Sequence, residues 1–265
     1  MAELEEKTDK GFWEDWWGES RTWRYRNIRK YLAVHKKFDK LFKAFLEKGN
    51  RKILEIGCAG GTQLVYFNKE FGYEPYGVDY SEEGCRIARE NLKLHDISGQ
   101  IICEDVFDAS FEQEFDIVYS MGLIEHFFDP DKIIDKHIEL LKPGGILIIT
   151  IPNFKGSLYY GLIKIRGEET ELARTHNLSI MEISKLKKIV RDKVDILKLD
   201  YFGPINLCSV LHPNNIGLLL FMHIINEAIG YLTFYLKSRY FSPTIVLIAR
   251  KPKHKEAKFS SLLLN

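Results

Sequence analysis

The sequence predicts an α/β protein built on a doubly wound, largely parallel sheet. Three observations carry that expectation. From residue 51 onward, short apolar runs alternate with helix-like stretches, the pattern of successive βαβ units. The first of those runs ends in a glycine cluster, Gly57-Cys-Ala-Gly-Gly61, with a helix beginning directly after it. Acidic residues then close the next two strands, Asp79 and Asp105, where open α/β sheets present ligand-binding loops.

The elements follow in order. Residues 1–10 are polar. Residues 11–25 hold Phe12, Trp13, Trp16, Trp17, Trp23 and Tyr25, including all four tryptophans. This segment reads either as an aromatic clamp that packs a helix onto the domain or as a lid over a ligand. Residues 26–48 keep a helical period through Ile28, Leu32, His35, Leu41, Phe42 and Phe45 and stop at Gly49-Asn50. Strands are expected at Lys52–Ile56, Glu74–Val78, Gly99–Cys103, Phe115–Ser120 and Gly145–Ile151, and helices at Thr62–Phe71, Glu82–His95 and Pro130–Leu141. Ser81 before Glu82-Glu83 is a natural N-cap, with acids in the first turn. After Asn153 an irregular apolar insertion interrupts the alternation. A helix over Ser179–Val190, a strand over Val194–Tyr201, a second apolar insertion and a final strand over Pro243–Arg250 complete the chain.

Composition sets broad bounds. The 265 residues suit one large domain, and 45% hydrophobic content is enough to fill a core. A net charge of +1 gives no push toward polyanions, so nucleic acid is not expected as a partner. Cys58, Cys85, Cys103 and Cys208 form no CxxC pair or zinc spacing, and the charged N-terminus lacks a signal-peptide core. These features lead to an expectation of free thiols and a cytoplasmic protein.

The glycine loop discriminates among ligands. A dinucleotide fingerprint anchored at Gly57 would need glycines where Ala59 and Thr62 stand, and the Gly-Lys-Ser/Thr of a phosphate loop is absent. Glu55, two residues before Gly57, would repel a pyrophosphate and suits a cationic ligand. Asp79 lies about 20 residues beyond the loop, where a carboxylate can bind ribose hydroxyls. Asp105 could accept from an adenine amino group.

The segments ILEIGCAGG, GVDYS, CEDVF, FDIVYSMGLIEHF and LKPGGILIITIPN, in that order over residues 51–153, resemble the successive motifs of class I methyltransferases. The resemblance implies a seven-stranded sheet with an antiparallel last strand and S-adenosylmethionine as cofactor, leaving S-adenosylhomocysteine. Gly57, Cys58 and Gly60 would pack on the methionine part, Asp79 would bind the ribose with Tyr80 also in the cofactor site, and Asp105 with Val106 would flank the adenine. Glu55 and Met121 would complete the cofactor site. Within the class, Met121-Gly-Leu-Ile-Glu125-His126 and Thr175-His176-Asn177-Leu178 resemble the Met-Glu-x-x-Glu-His and Thr-His-Asp-Trp runs of quinone-biosynthesis O-methyltransferases. There the acids and the histidine are tied to a divalent metal. Gly122 replaces one of those acids here, so no metal ligand is assigned and metal dependence stays open.

Methyl transfer to a phenol or carboxylic acid requires loss of a proton. His126, just past the fourth strand, is the candidate base, with Glu125 orienting it and His176 as a second candidate. Each also has a plain packing or capping reading. No Asn/Asp-Pro-Pro-aromatic run follows the fourth strand, as base-amine methyltransferases would show. The expected organisation is a helical extension or lid over 1–50 and a methyltransferase domain over 51–265, with insertions at 154–178 and 205–240. In that topology both insertions leave the rim that carries the cofactor, form a cap, and wall a pocket for a small, lipophilic acceptor. In the second insertion His223, Asn226, Glu227, Gly230, Thr233 and Lys237 recur at three- and four-residue steps, one polar stripe on an otherwise apolar helix. Such a helix could roof a pocket, lie on a membrane surface, form a homodimer contact, or simply belong to the core. The alternatives to a small-molecule enzyme are a macromolecular methyltransferase and a cofactor-binding scaffold.

Overall fold

The computed structural model describes residues 6–19, 28, 32–112, 114–211 and 216–253. Trp23, Tyr25 and the segment 212–215 lie outside the described residues. In chain order the elements are α1 (Lys10–Glu19), α2 (Ala33–Phe45), β1 (Lys52–Ile56), α3 (Thr62–Phe71), β2 (Glu74–Asp79), α4 (Glu82–Leu94), β3 (Gln100–Cys103), β4 (Phe115–Met121), α5 (Pro130–Glu139) and β5 (Leu141–Pro152). They continue with α6 (Ser157–Arg166), α7 (Glu169–Thr175), α8 (Ile183–Val190), β6 (Asp195–Phe202), α9 (Ile216–Leu232) and β7 (Thr244–Arg250).

The seven strands form one sheet in the order β3-β2-β1-β4-β5-β7-β6. Strands β1 to β5 pair in parallel, and β7 runs antiparallel between β5 and β6. The order reverses between β1 and β4, so the loops leaving their carboxyl ends diverge and open a crevice.

Side-chain alternation along the strands builds a core on each face. Ile53, Ile117, Tyr119, Ile146 and Ile148 point to the side covered by α2, α3 and α4. Leu54, Val118, Leu147, Ile149 and Leu247 point to the side covered by α5 and α8. The predicted cap of α4 forms: Ser81 Oγ accepts from Gly84 N at 3.0 Å. At Gly61, with φ +64°, an added Cβ would lie 3.1 Å from Ala88 Cα, so only glycine lets α3 start this close to α4.

The insertions differ in part from expectation. Residues 154–178 are helical rather than irregular, forming α6 and α7, because Tyr159, Ile163 and Leu172 find a small core of their own with Val210. In the second insertion Asn226, Glu227, Gly230 and Thr233 of the polar stripe face the protein, while His223 and Lys237 are exposed. Asn226 Oδ1 accepts from Leu207 N at 2.7 Å, and Thr233 Oγ1 accepts from Ile205 N at 3.1 Å. Glu227 Oε2 accepts from Ala33 N at 2.7 Å, the first helical residue of α2, whose N-cap Leu32 provides no side-chain bond. An anionic acceptor at that position satisfies an orphan donor and the helix dipole together. The apolar side of α9 is consequently turned outward.

Candidate active site

Two cavities open at the crevice between β1 and β4. The first is lined by Gly57 and Ala59 of the glycine loop, Asp79 and Tyr80 after β2, Glu104, Asp105 and Val106 after β3, and Met121, Leu123 and His126 after β4. Helix α1 closes it with Trp13 and Trp17. Glu6 lines it as well, so four carboxylates face the cavity and no lysine or arginine does among the described residues. Such a wall repels phosphate and suits a cationic ligand.

Asp79 is the anchor of this wall. Its Oδ2 accepts from Ala59 N at 3.0 Å and its Oδ1 from Ser81 N at 2.9 Å, tying the glycine loop to the start of α4. Burial nevertheless raises its pKa to about 6, against the lowering effect of those backbone donors. Asp105 Oδ1 accepts from Phe107 N at 2.8 Å, which holds the loop after β3 in a turn. Gly57 has φ +73°, and a Cβ there would meet Leu123 Cδ1 at 3.1 Å.

Three of the expected cofactor residues do not reach the cavity. Glu55 is buried behind the loop, its pKa raised well above the usual carboxylate value by desolvation, with Oε2 lacking a partner. Strand alternation explains this, since Glu55 points to the helix side while Ile56 and Gly57 reach the crevice. Cys58 turns its thiol inward beneath β2, where Gly77 makes room for it: a Cβ on Gly77 would sit 2.5 Å from the sulfur. Gly60 lies against Trp17, where an added Cβ would stand 3.7 Å from the ring, and its carbonyl accepts from Asn91 Nδ2 at 2.9 Å. Of the loop, Gly57 and Ala59 are the residues that line the cavity.

The second cavity is larger and mostly apolar. Its walls include Trp16, Phe38, Ile151 and Phe154, with Glu171, Thr175 and His176 from the first insertion and Asn206 and Ser209 from the second. Trp13, Met121, Gly122 and His126 border both cavities. Gly122 has φ +64°, so a side chain at this junction would carry backbone strain.

Here Glu125, His126 and His176 come together, each offering a ligand atom within 4.8 Å of the others. His126 Nδ1 lies 2.9 Å from the Thr175 carbonyl, which only accepts, so Nδ1 carries the proton and Nε2 keeps a lone pair. Thr175 Oγ1 donates to Glu171 O at 2.8 Å, so it accepts from His176 Nδ1 at 2.8 Å, again leaving the lone pair on Nε2. Burial lowers the pKa of His126 to about 3 and of His176 to about 4. It raises Glu125 to about 8, and Glu125 Oε2 is buried without a partner. The trio is therefore neutral around pH 7. His126 does not retain the near-neutral pKa expected of it as a base, because it is sealed by Trp13, whose ring lies edge-on at 5.0 Å. Asn177 holds the arrangement from behind, donating from Nδ2 to the carbonyls of Phe127 and Phe128, while its own N–H donates to Glu125 O.

One contact is invisible in the local sequence. Glu14 of α1 reaches the start of α4, accepting from Glu82 N at 2.6 Å, Glu83 N at 3.1 Å and Ser81 Oγ at 3.2 Å. This acid latches α1 over the first cavity. The aromatic run of residues 11–25 was the signal for a packed helix or a lid, and nothing local marked its latch.

A methyltransferase-domain family model matches residues 47–202. The chain belongs to this methyltransferase family. The ubiquinone biosynthesis O-methyltransferase of Thiobacillus denitrificans is 29% identical over 121 residues, 45% of this chain and 51% of the relative. The chain spans about half the length of the curated relatives it matches. Among solved structures, Haemonchus contortus phosphoethanolamine N-methyltransferase 2 in complex with S-adenosyl-L-methionine superposes with a TM-score of 0.58, at 17% identity, over 91% of this chain and 58% of that one. The [4+2]-cyclase SpnF superposes with a TM-score of 0.54, at 18% identity, over 82% and 80%. The methyltransferase fold is thus shared with a protein named for another reaction, and function has to be argued from the site.

Proposed function

We propose that this methyltransferase transfers a methyl group from S-adenosylmethionine to an oxygen of a small, lipophilic acceptor such as a phenol, a quinone precursor or a lipid-like acid. The observation that carries the reading is the junction of the two cavities. One is walled by carboxylates and glycine backbone, the other by aromatic and aliphatic side chains, and they meet at Trp13, Met121, Gly122 and His126. The first cavity fits the donor: Asp79 stands ready to accept from ribose hydroxyls, Asp105 and Val106 to flank the adenine, and the four acids to offset positive charge. When bound, the cofactor supplies a methyl group already activated on a sulfonium and open to in-line displacement.

The work left to the chain is positioning, exclusion of water and movement of one proton. Helix α1 covers the junction. His126, with its Nε2 lone pair, is placed to hold the acceptor hydroxyl, and its low basicity suits it to accept a hydrogen bond before it accepts the proton. In place of that contact, Glu125, His126 and His176 would hold a divalent cation; two imidazole lone pairs and an unpartnered carboxylate oxygen form a donor set used for such ions. A cation there would supply polarisation of the acceptor oxygen.

A lipophilic acceptor partitions toward lipid, and α9 is tied to the second cavity through Asn206 and Ser209 of the segment that its inner face holds. The test uses cofactor labelled on the transferable methyl group, incubated with purified protein and host extract. Label in the organic-soluble fraction is expected. Label in nucleic acid or protein overturns the acceptor class, and cofactor binding without turnover on any fraction favours a scaffold.

A further inference from the structure

Helix α9 is built opposite to an ordinary surface helix, whose apolar stripe faces the core and whose polar residues face water. Asn226, Glu227 and Thr233 are consumed in holding Leu207, Ala33 and Ile205, while Leu220, Phe221, Ile224 and Leu232 point outward. Ile224 is 71% and Leu232 87% exposed, and Tyr235 just beyond the helix is 83% exposed. These residues form one continuous side rather than scattered singles, and an apolar patch of that kind marks a contact surface. No described helix is long and apolar enough to cross a membrane, so a face of this sort lies on a surface.

The rim of the patch identifies what covers it. Lys36 Nζ stands 5.4 Å over the Tyr231 ring, and Lys40 Nζ lies 5.7 Å from both Phe234 and Tyr235. Arg239 lies 4.6 Å over Tyr240, and Lys237 follows α9 directly. Of the carboxylates at this rim, Asp200 is engaged by Lys237 at 2.7 Å and Lys198 at 3.5 Å, and Glu227 accepts from Ala33 N. Two copies of the face brought together would set this basic rim against itself. Anionic headgroups complement it, with the apolar side chains entering the acyl boundary and the tyrosines at headgroup depth.

We propose that the outer face of α9, with its lysine and arginine rim, docks the protein on an anionic lipid bilayer. The same helix holds the 205–209 segment, from which Asn206 and Ser209 line the second cavity. Docking therefore acts on the helix that positions two residues of the cavity wall. The idea deepens the lipophilic-acceptor reading and rests on it only for the purpose of docking, because vesicle binding is measured without cofactor or acceptor.

The test is flotation of the full chain with vesicles of phosphatidylcholine alone and of phosphatidylcholine with 30% phosphatidylglycerol, a composition of about that order being enough to give a negative surface. The expected result is binding at least about tenfold stronger to the anionic vesicles, weakening with added salt as surface electrostatics require. The double substitution Ile224→Asp with Leu232→Asp should abolish it while leaving the thermal midpoint and cofactor affinity unchanged, since both side chains are already exposed. Lys36→Gln with Lys40→Gln should weaken anionic binding alone. Failure to bind anionic vesicles, or binding that the double aspartate variant retains, overturns the proposal. So does a stable dimer in light scattering that the double aspartate variant dissociates, which would make a second copy the occupant.

Discussion

Replacing Glu14 with alanine should release the cover of the first cavity. The Glu14 carboxylate accepts from two N–H groups at the first turn of α4 and from the Ser81 hydroxyl. Partly exposed charged hydrogen bonds contribute on the order of 0.5–1 kcal/mol each, and an anion at a helix N-terminus adds about 0.3–1 kcal/mol. These terms overlap, because the bonds are themselves how the dipole is felt, and water replaces part of what is lost. A net cost of about 1.5–2 kcal/mol to the closed position follows, corresponding to roughly a 10- to 30-fold faster escape of cofactor. Helix α1 contributes little to either main core, so the thermal midpoint should move by no more than about 2 °C. Stopped-flow displacement of S-adenosylmethionine measures the dissociation rate, with Glu90→Ala as a control that removes a surface pair with Arg86 inside α4 and touches nothing of α1. A Glu14→Ala dissociation rate within twofold of the parent would show that Trp13 and Trp17 hold the lid without the latch and would refute the reasoning.

Three further outcomes are expected. Asp79→Asn should weaken S-adenosylmethionine binding by roughly 30- to 100-fold in calorimetry, the loss of about 2–3 kcal/mol from a charged acceptor. Ribose hydroxyls donate to the ionised form, so affinity in the parent should fall by up to about tenfold per unit below the Asp79 pKa of about 6; the asparagine variant should lose this component and keep only the weaker one from Glu6, whose pKa burial raises to about 7. His126→Ala should keep cofactor affinity within a factor of about three while lowering turnover on the identified acceptor by about 100-fold, and undiminished turnover would remove His126 from the chemistry. Glu227→Ala should destabilise the fold by about 1–2 kcal/mol in urea titration, since it uncaps α2 and leaves the Ala33 N–H unsatisfied, with Glu227→Gln recovering about half.

The sheet and its helices were legible because their signals are local. The Lys52–Ile56 strand, the Thr62–Phe71 helix and the Ser81 cap each rest on period, β-branching or a hydroxyl at a helix start, and each stands where it was expected. Asp79, Asp105, Val106 and His126 were reachable for a related reason: a parallel strand delivers its last residue and the next few to one edge of the sheet. Glu55 and Cys58 were misplaced because residues adjacent in sequence point to opposite faces of a strand or loop, and only the register of the turn decides which faces the crevice. The helices α6 and α7 were missed because the residues that stabilise them pack on Val210, far away in the chain.

The sequence by itself determined the strand and helix segments, the glycine loop and the acids at the strand ends, since those depend on residues within a few positions of one another; the seven-stranded order came through the resemblance. The tertiary structure alone decided three things. It set the neutral state of Glu125, His126 and His176, because burial by Trp13 and the first insertion acts on all three. It set the role of Glu14, which finds its donors 67 to 69 residues away. It also set the direction of α9. A helical wheel shows a polar stripe and an apolar side but not which of them meets the protein, and here three backbone N–H groups left unsatisfied by their own elements claimed the polar one.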